Sequence, residues 1–218
     1  MKKPAAFFLA LLTALSSLLS LTGCGNSVKV GSTVELGGHE WRVLDVQDGK
    51  ILILSDKILT TRAYHPSGGQ ISWEESDIRA YLNGEFYETT FSDEEKVRII
   101  ESAIENKSNT KYGTGAGNNT TDRVFLLSAK EVENYIPESA DRIARHVETG
   151  EIILWWLRTP GKGKEYAVDV NTTGTVDYHG ILVVQAGDNE NTGLGGMAGD
   201  YASSVDGGVR PAMWITIE

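Results

Sequence analysis

The sequence predicts an α+β domain, with antiparallel strands at its two ends, short helices between them and a long loop before the last strand. Apolar and polar residues alternate with period two near both ends, and in the middle serine is repeatedly followed by glutamate three residues later. No strand–helix–strand rhythm suggests a parallel sheet. The chain is organised around Trp155-Trp156-Leu157-Arg158-Thr159-Pro160-Gly161 and Gly208-Val209-Arg210-Pro211-Ala212-Met213-Trp214. Each sets large apolar residues beside one arginine and a proline, so a buried strand would carry a cation that needs a partner.

In chain order, Met1-Lys2-Lys3-Pro4 precedes an apolar run from Ala5 to Leu21, broken only by Thr and Ser, and then Leu21-Thr22-Gly23-Cys24. A basic start, an apolar stretch and small residues before a cleavage point read as a secretory signal over residues 1–23. It resembles a bacterial lipoprotein signal with a lipobox, which implies that Cys24 becomes the lipidated first residue. The run is slightly short for a ~20-residue transmembrane span and lacks charge on its far side. The resulting expectation is a protein held by its acyl chains on the extracytoplasmic face of a bacterial membrane.

Cys24 is the only cysteine, so a lipid on its sulfur leaves no thiol for a disulfide, a Cys-based metal site or a nucleophile. Removing residues 1–23 leaves 195 residues, enough for one core. The signal holds two of the 20 basic residues and none of the 30 acidic ones, so the mature charge falls from -10 to -12. That balance disfavours nucleic acid and anionic membrane surfaces as partners.

A short tether and first strand occupy residues 24–37, with Thr33 to Leu36 alternating, and the domain is placed at 38–218. His39 to Gln47 reads as a strand with Trp41, Val43 and Asp45 on one face and Arg42, Leu44 and Val46 on the other. Asp48-Gly49 turns it into Lys50 to Leu54. Ser72 with Glu75 opens a helix that Asn83-Gly84 stops. Ser92 with Glu95 opens another, with Val97, Ile100 and Ile104 on its apolar face. A strand from Val124 to Leu127 passes at Ser128 and Glu131 into a short helix ended by Pro137. Asn106 to Asp122 reads as a mobile polar loop, and Ala140 to Val147 as a modest helix. Beyond the tryptophan strand lie strands at Tyr166–Val170, Thr175–Tyr178 and Ile181–Val184. The loop from Ala186 to Gly208 then leads into a final strand from Val209 to Ile217.

The order Trp41-Arg42-Val43-Leu44-Asp45, Trp73 with Ser76, Arg79 and Tyr81-Leu82-Asn83, Val124 to Ser128 with Glu131, the tryptophan strand and Val209-Arg210-Pro211-Ala212 resembles a known family. That family is the bacterial and phage domain of unknown function 6273, over about residues 38–217. The ending Val-Arg-Pro-Ala is also similar to the last strand of the formylglycine-generating branch of the C-type lectin fold. This likeness implies that the terminal strands pair and that the loops after the tryptophan strand bind ligand. The branch's cysteine-dependent oxidation does not carry over, because Cys24 precedes the domain.

Arg158 is read as a structural cation or a ligand contact, and Arg210, with Pro211 and Trp214, as structural. Trp155 and Trp156 point to opposite faces of a strand. One belongs to the core, and the other either packs against a helix or offers a sugar-stacking platform. In the acidic loop, Asp188, Asn189, Glu190, Asn191, Asp200 and Tyr201 are the candidate ligand contacts. Asp188 and Glu190 are the candidate oxygen ligands for calcium, set against an ordinary solvated loop. No zinc-protease, nucleophile-elbow, phosphate-loop or dinucleotide motif occurs. The expected function is therefore non-catalytic recognition of a glycan or protein by a membrane-anchored lipoprotein. The alternatives are an envelope polysaccharide hydrolase with an unidentified carboxylate pair, or a structural part of an envelope complex.

Overall fold

The computed structural model describes residues 28–183 and 206–217. Two five-stranded sheets form the framework. The first has the order β1 (Thr33–Leu36), β2 (His39–Gln47), β3 (Lys50–Ser55), β12 (Ala212–Thr216), β5 (Ile99–Ile100). The second has the order β10 (Val176–Leu182), β9 (Tyr166–Val170), β8 (Trp155–Pro160), β11 (Gly207–Val209), β4 (Thr60–Arg62). A small ribbon pairs β6 (Ser102–Ile104) with β7 (Thr120–Asp122). Pairing between these strands is antiparallel apart from the contact of β11 with β8, and the isolated bridge of Ile58 with His146 is also parallel. One apolar cluster, including Trp41, Leu54, Trp73, Phe125, Trp155 and Val209, spans both sheets. Among the described residues, no helix is long and apolar enough to cross a membrane.

The N- and C-terminal strands pair as expected, with Met213 opposite Ile53 and Ile215 opposite Ile51. The last strand is interrupted, however. Proline cannot donate to a ladder, and at Arg210-Pro211 the chain leaves the second sheet as β11 and enters the first as β12. The segment between β3 and β4 makes the same crossing in the opposite direction. The two are joined by Ser55 N–H to Pro211 O at 2.9 Å and Leu59 N–H to Val209 O at 3.0 Å. Arg210 stands at this corner. The strand β1, placed outside the boundary at residue 38, forms a hairpin with β2 within the first sheet.

Strands β2 and β9 have the expected bounds, and Asp48-Gly49 is a two-residue turn with Gln47 opposite Lys50 and Gly49 at φ +73°. Simple alternation fails within β2. Its register shifts between Val43 and Asp45, and the bulge turns Leu44 into the core beside Val43 while Asp45 moves outward.

The helices also differ from expectation. Ser72 introduces only a 3₁₀ turn at Trp73–Glu75, and Ser76 caps α1 (Asp77–Tyr81) by accepting from Arg79 N–H. Asn83-Gly84 does not end that helix, which continues through a π turn at Leu82–Phe86 into α2 (Tyr87–Thr90). The Asn83 amide donates to Arg79 O and Val124 O and accepts from the N–H groups of Arg123 and Val124, so it staples the helix to the core.

Full capping boxes form at Ser92 and Ser128, opening α3 (Asp93–Arg98) and α4 (Ala129–Tyr135). Helix α3 stops early because β-branched Ile99 and Ile100 join β12 as a sheet edge, leaving Val97 84% exposed. Val124 to Leu127 is buried, with Phe125 bridging Ala212, but forms no full strand. The helix expected at Ala140 to Val147 is a single turn, α5 (Ser139–Arg142). The segment from Asn106 to Asp122 is tied down instead of forming a loose polar loop. Asn109 is buried and its amide donates to Pro160 O, Gly161 O and Tyr178 O.

Candidate functional site

Cys24 and the acidic-loop residues Asp188, Asn189, Glu190, Asn191, Asp200 and Tyr201 lie outside the described residues. Among the described residues, no group of three or more His, Cys, Asp or Glu side chains is placed to hold a metal ion.

Both tryptophans of β8 are fully buried. The Trp155 indole donates to Arg142 O at 3.0 Å and the Trp156 indole to Arg62 O at 2.8 Å. Their side chains do alternate, but both faces of the strand are covered, so neither ring offers a platform to a sugar. Arg158 is likewise internal: its guanidinium forms a fork with Glu131, Nη2 to Oε1 being 2.7 Å, and donates to Leu126 O at 2.7 Å. Burial pushes the Glu131 carboxyl upward, yet the Arg158 charge and the hydrogen bonds hold it below its ordinary value. Trp214 is partly buried beneath the Lys50 ammonium, 4.7 Å from its ring centre.

The open surface has two chemically distinctive places that the sequence did not single out. The first joins the turn after Asn109 to the β9–β10 hairpin. The Tyr112 ring is 50% exposed and meets His179 edge-on at 6.1 Å, and His179 meets Tyr166 at 5.8 Å. Lysines cover the neighbouring rings, Lys111 at 3.6 Å from Tyr178 and Lys162 at 4.3 Å from Tyr166. Burial and the Glu133 carboxylate push the Tyr178 phenol up to about 12, so it stays protonated at neutral pH. Asn109, bonded to three carbonyls of the hairpin side, sets Lys111 and Tyr112 against it. The rings and cations therefore sit on a fixed base.

The second place is a shallow cleft of about 230 Å³ beside the edge strand β4, lined by Thr61, Arg62, Ala63, Pro66, Asp77 and Asp206. Arg62 stacks over Tyr81 at 3.9 Å. His65 Nδ1 lies 2.6 Å from Asp77 Oδ2, and Ser67 Oγ lies 3.3 Å from His65 Nε2.

Neither place follows a period or motif. Tyr112 and His179 are 67 positions apart in the sequence, and the hairpin and the Asn109 anchor make them neighbours. The one available signal was Pro66 and the Gly68-Gly69 pair, which marked a turn without saying what its side chains would meet.

A family model described as Domain of unknown function (DUF6273) matches residues 48–217. No curated protein and no solved structure matches the chain.

Proposed function

The chain belongs to the DUF6273 family, and we propose that it is a lipoprotein, anchored through Cys24 on the extracytoplasmic face of a bacterial membrane, that recognises a glycan. The observation that carries this reading is the face formed by Tyr112, Tyr166, Tyr178 and His179 with Lys111 and Lys162. The half-exposed Tyr112 ring suits the C–H face of a sugar ring, and the nearby Lys111 and Lys162 ammonium groups can donate to hydroxyl and carboxylate oxygens. Rings already fixed by the protein lose little side-chain entropy on binding. A C-type-lectin-like architecture belongs to the same proposal, and the pairing of the terminal strands supports it.

Glycan-array screening of the full-length chain in detergent, followed by titration of the best ligand, tests the proposal. Tyr112→Ala should weaken binding by roughly tenfold or more while changing folding stability by less than ~0.5 kcal/mol, since the side chain is half exposed. A Tyr112→Ala protein that binds glycan with unchanged affinity would sink the reading of this face. Binding to envelope proteins with no glycan hit would replace the ligand class. Cys24→Ser should abolish acyl-chain incorporation and release the protein from the membrane fraction, and retention there would overturn the anchor.

A further inference from the structure

We propose that Ser67, His65 and Asp77 form a hydrolytic array, nucleophile, base and orienting carboxylate, which cleaves O-acyl esters at the surface next to the shallow cleft that Pro66 and Asp77 line beside β4. The order in which the side chains are joined is the warrant. Asp77 Oδ2 meets His65 Nδ1 at 2.6 Å, and His65 Nε2 meets Ser67 Oγ at 3.3 Å. A carboxylate on Nδ1 makes that nitrogen the N–H and turns the Nε2 lone pair toward the hydroxyl, the tautomer a general base requires. The second separation is at the loose end for an O–H···N bond, as is common before a substrate tightens such an array.

The backbone holds all three residues. The His65 N–H donates to Val183 O at 2.8 Å. Gly68 N–H donates back to His65 O at 3.0 Å, closing a turn with Pro66 in its second position, where a fixed φ is favoured, and folding Ser67 over the imidazole. Ile78 N–H donates to Tyr64 O at 3.2 Å, coupling the residue after Asp77 to the residue before His65. The imidazole is largely sheltered, its side chain 16% exposed, whereas Ser67 is open to solvent. A sheltered base beneath an accessible hydroxyl is what acyl transfer to serine needs.

In the first half-reaction, Ser67 Oγ bonds to the ester carbonyl carbon as its proton passes to His65 Nε2. The carbon–oxygen bond to the alcohol then breaks, and the departing oxygen takes that proton. Water next gives a proton to Nε2 and attacks the acyl-serine carbonyl, and Ser67 Oγ recovers the proton as the carboxylic acid leaves. The sum is ester plus water to acid plus alcohol, with no redox change. Asp77 orients the imidazole and stabilises its transient cation. The negative charge on the tetrahedral oxygen would be met by backbone N–H groups of the turn from Ser67 to Gly69.

The site is separate from the Tyr112 face, so its test is independent of glycan binding. The full-length chain in detergent is treated with a fluorophosphonate, digested and mapped by mass spectrometry, and its turnover of p-nitrophenyl acetate is followed in parallel. The label is expected on Ser67 and not on Ser72, and Ser67→Ala should abolish both labelling and turnover. His65→Gln should slow turnover roughly 10²–10⁴-fold, and Asp77→Asn should also slow it substantially. Thermal unfolding of each variant is measured alongside, and Ser67→Gly replaces Ser67→Ala should the latter misfold. Labelling of Ser67 no greater than that of Ser72, or turnover that survives loss of the hydroxyl in a folded variant, overturns the proposal.

Discussion

Asp122 and Asp169 are both only 1% exposed, yet the protein treats their carboxylates in opposite ways. Asp122, at the end of β7, accepts from Arg79 Nε at 2.6 Å, Trp73 Nε1 at 2.9 Å and Thr120 Oγ1 at 2.8 Å. Asp169, within β9, leaves its Oδ1 without a donor among the described residues and lies opposite a second carboxylate, Asp177, on β10. Burial first, and then Asp177, push the Asp169 carboxyl up to about 7. The two buried arginines repeat the contrast. Arg158 has a carboxylate fork, whereas Arg210 has Ser55 O at 2.8 Å, Asp56 O at 3.3 Å and the Trp155 ring at 4.9 Å. Burial pushes Arg210 down to about 10, Arg42 adding to this against the pull of Asp56, so it remains a cation at neutral pH. A buried charge supports a fold when donors or counter-charges surround it, and opposes it when they do not.

The largest expected effect comes from breaking the satisfied site. Asp122→Ala leaves Arg79 without its carboxylate and Trp73 Nε1 without its acceptor, and should cost about 3–5 kcal/mol in denaturant unfolding at neutral pH. A loss below ~1 kcal/mol would mean that the knot is dispensable.

The unsatisfied site should show itself through pH. A carboxyl raised to about 7 keeps its proton in the folded state while the unfolded chain releases it near 3.8. Stability should therefore fall as pH rises between those values, and stay flat outside them as far as this group is concerned. Full titration corresponds to roughly 4 kcal/mol at about 1.36 kcal/mol per pKa unit. Asp169→Asn should remove that slope and leave the variant more stable than the parent at pH 8. Unfolding curves at several pH values check this, and an unchanged slope would place the proton elsewhere.

A smaller effect sharpens the comparison with purely apolar packing. A methyl group on Gly207 would overlap the Trp156 indole, so Gly207→Ala should destabilise by about 1–3 kcal/mol through overpacking and show no pH dependence. A neutral substitution would mean that the indole moves freely, contrary to its bond to Arg62 O.

Local chemistry explains what was legible in advance. Strands β2 and β9, the Asp48-Gly49 turn and the capping boxes at Ser92 and Ser128 each depend on residues a few positions apart. The need of a buried Arg158 for a partner followed from the cost of an unpaired cation in an apolar strand, although its partner Glu131 did not, because 27 positions separate them. Asp45 left the expected face because a bulge, decided by pairing with β3, inserted Leu44. Trp155 and Trp156 obey the alternation of a strand, but alternation does not reveal whether one face or both are covered.

By itself, therefore, the sequence determined the α+β class and most strand positions, which follow from periodicity and capping along short stretches, and the family, which follows from the order of its motifs; for Arg158 it left a structural cation and a ligand contact both open. Tertiary structure alone decided that Arg210-Pro211 is the crossing between two sheets, that Asp122 is satisfied while Asp169 is not, and that Tyr112 meets His179 and Ser67 meets His65. Those outcomes depend on distances and directions between side chains that only the folded backbone fixes.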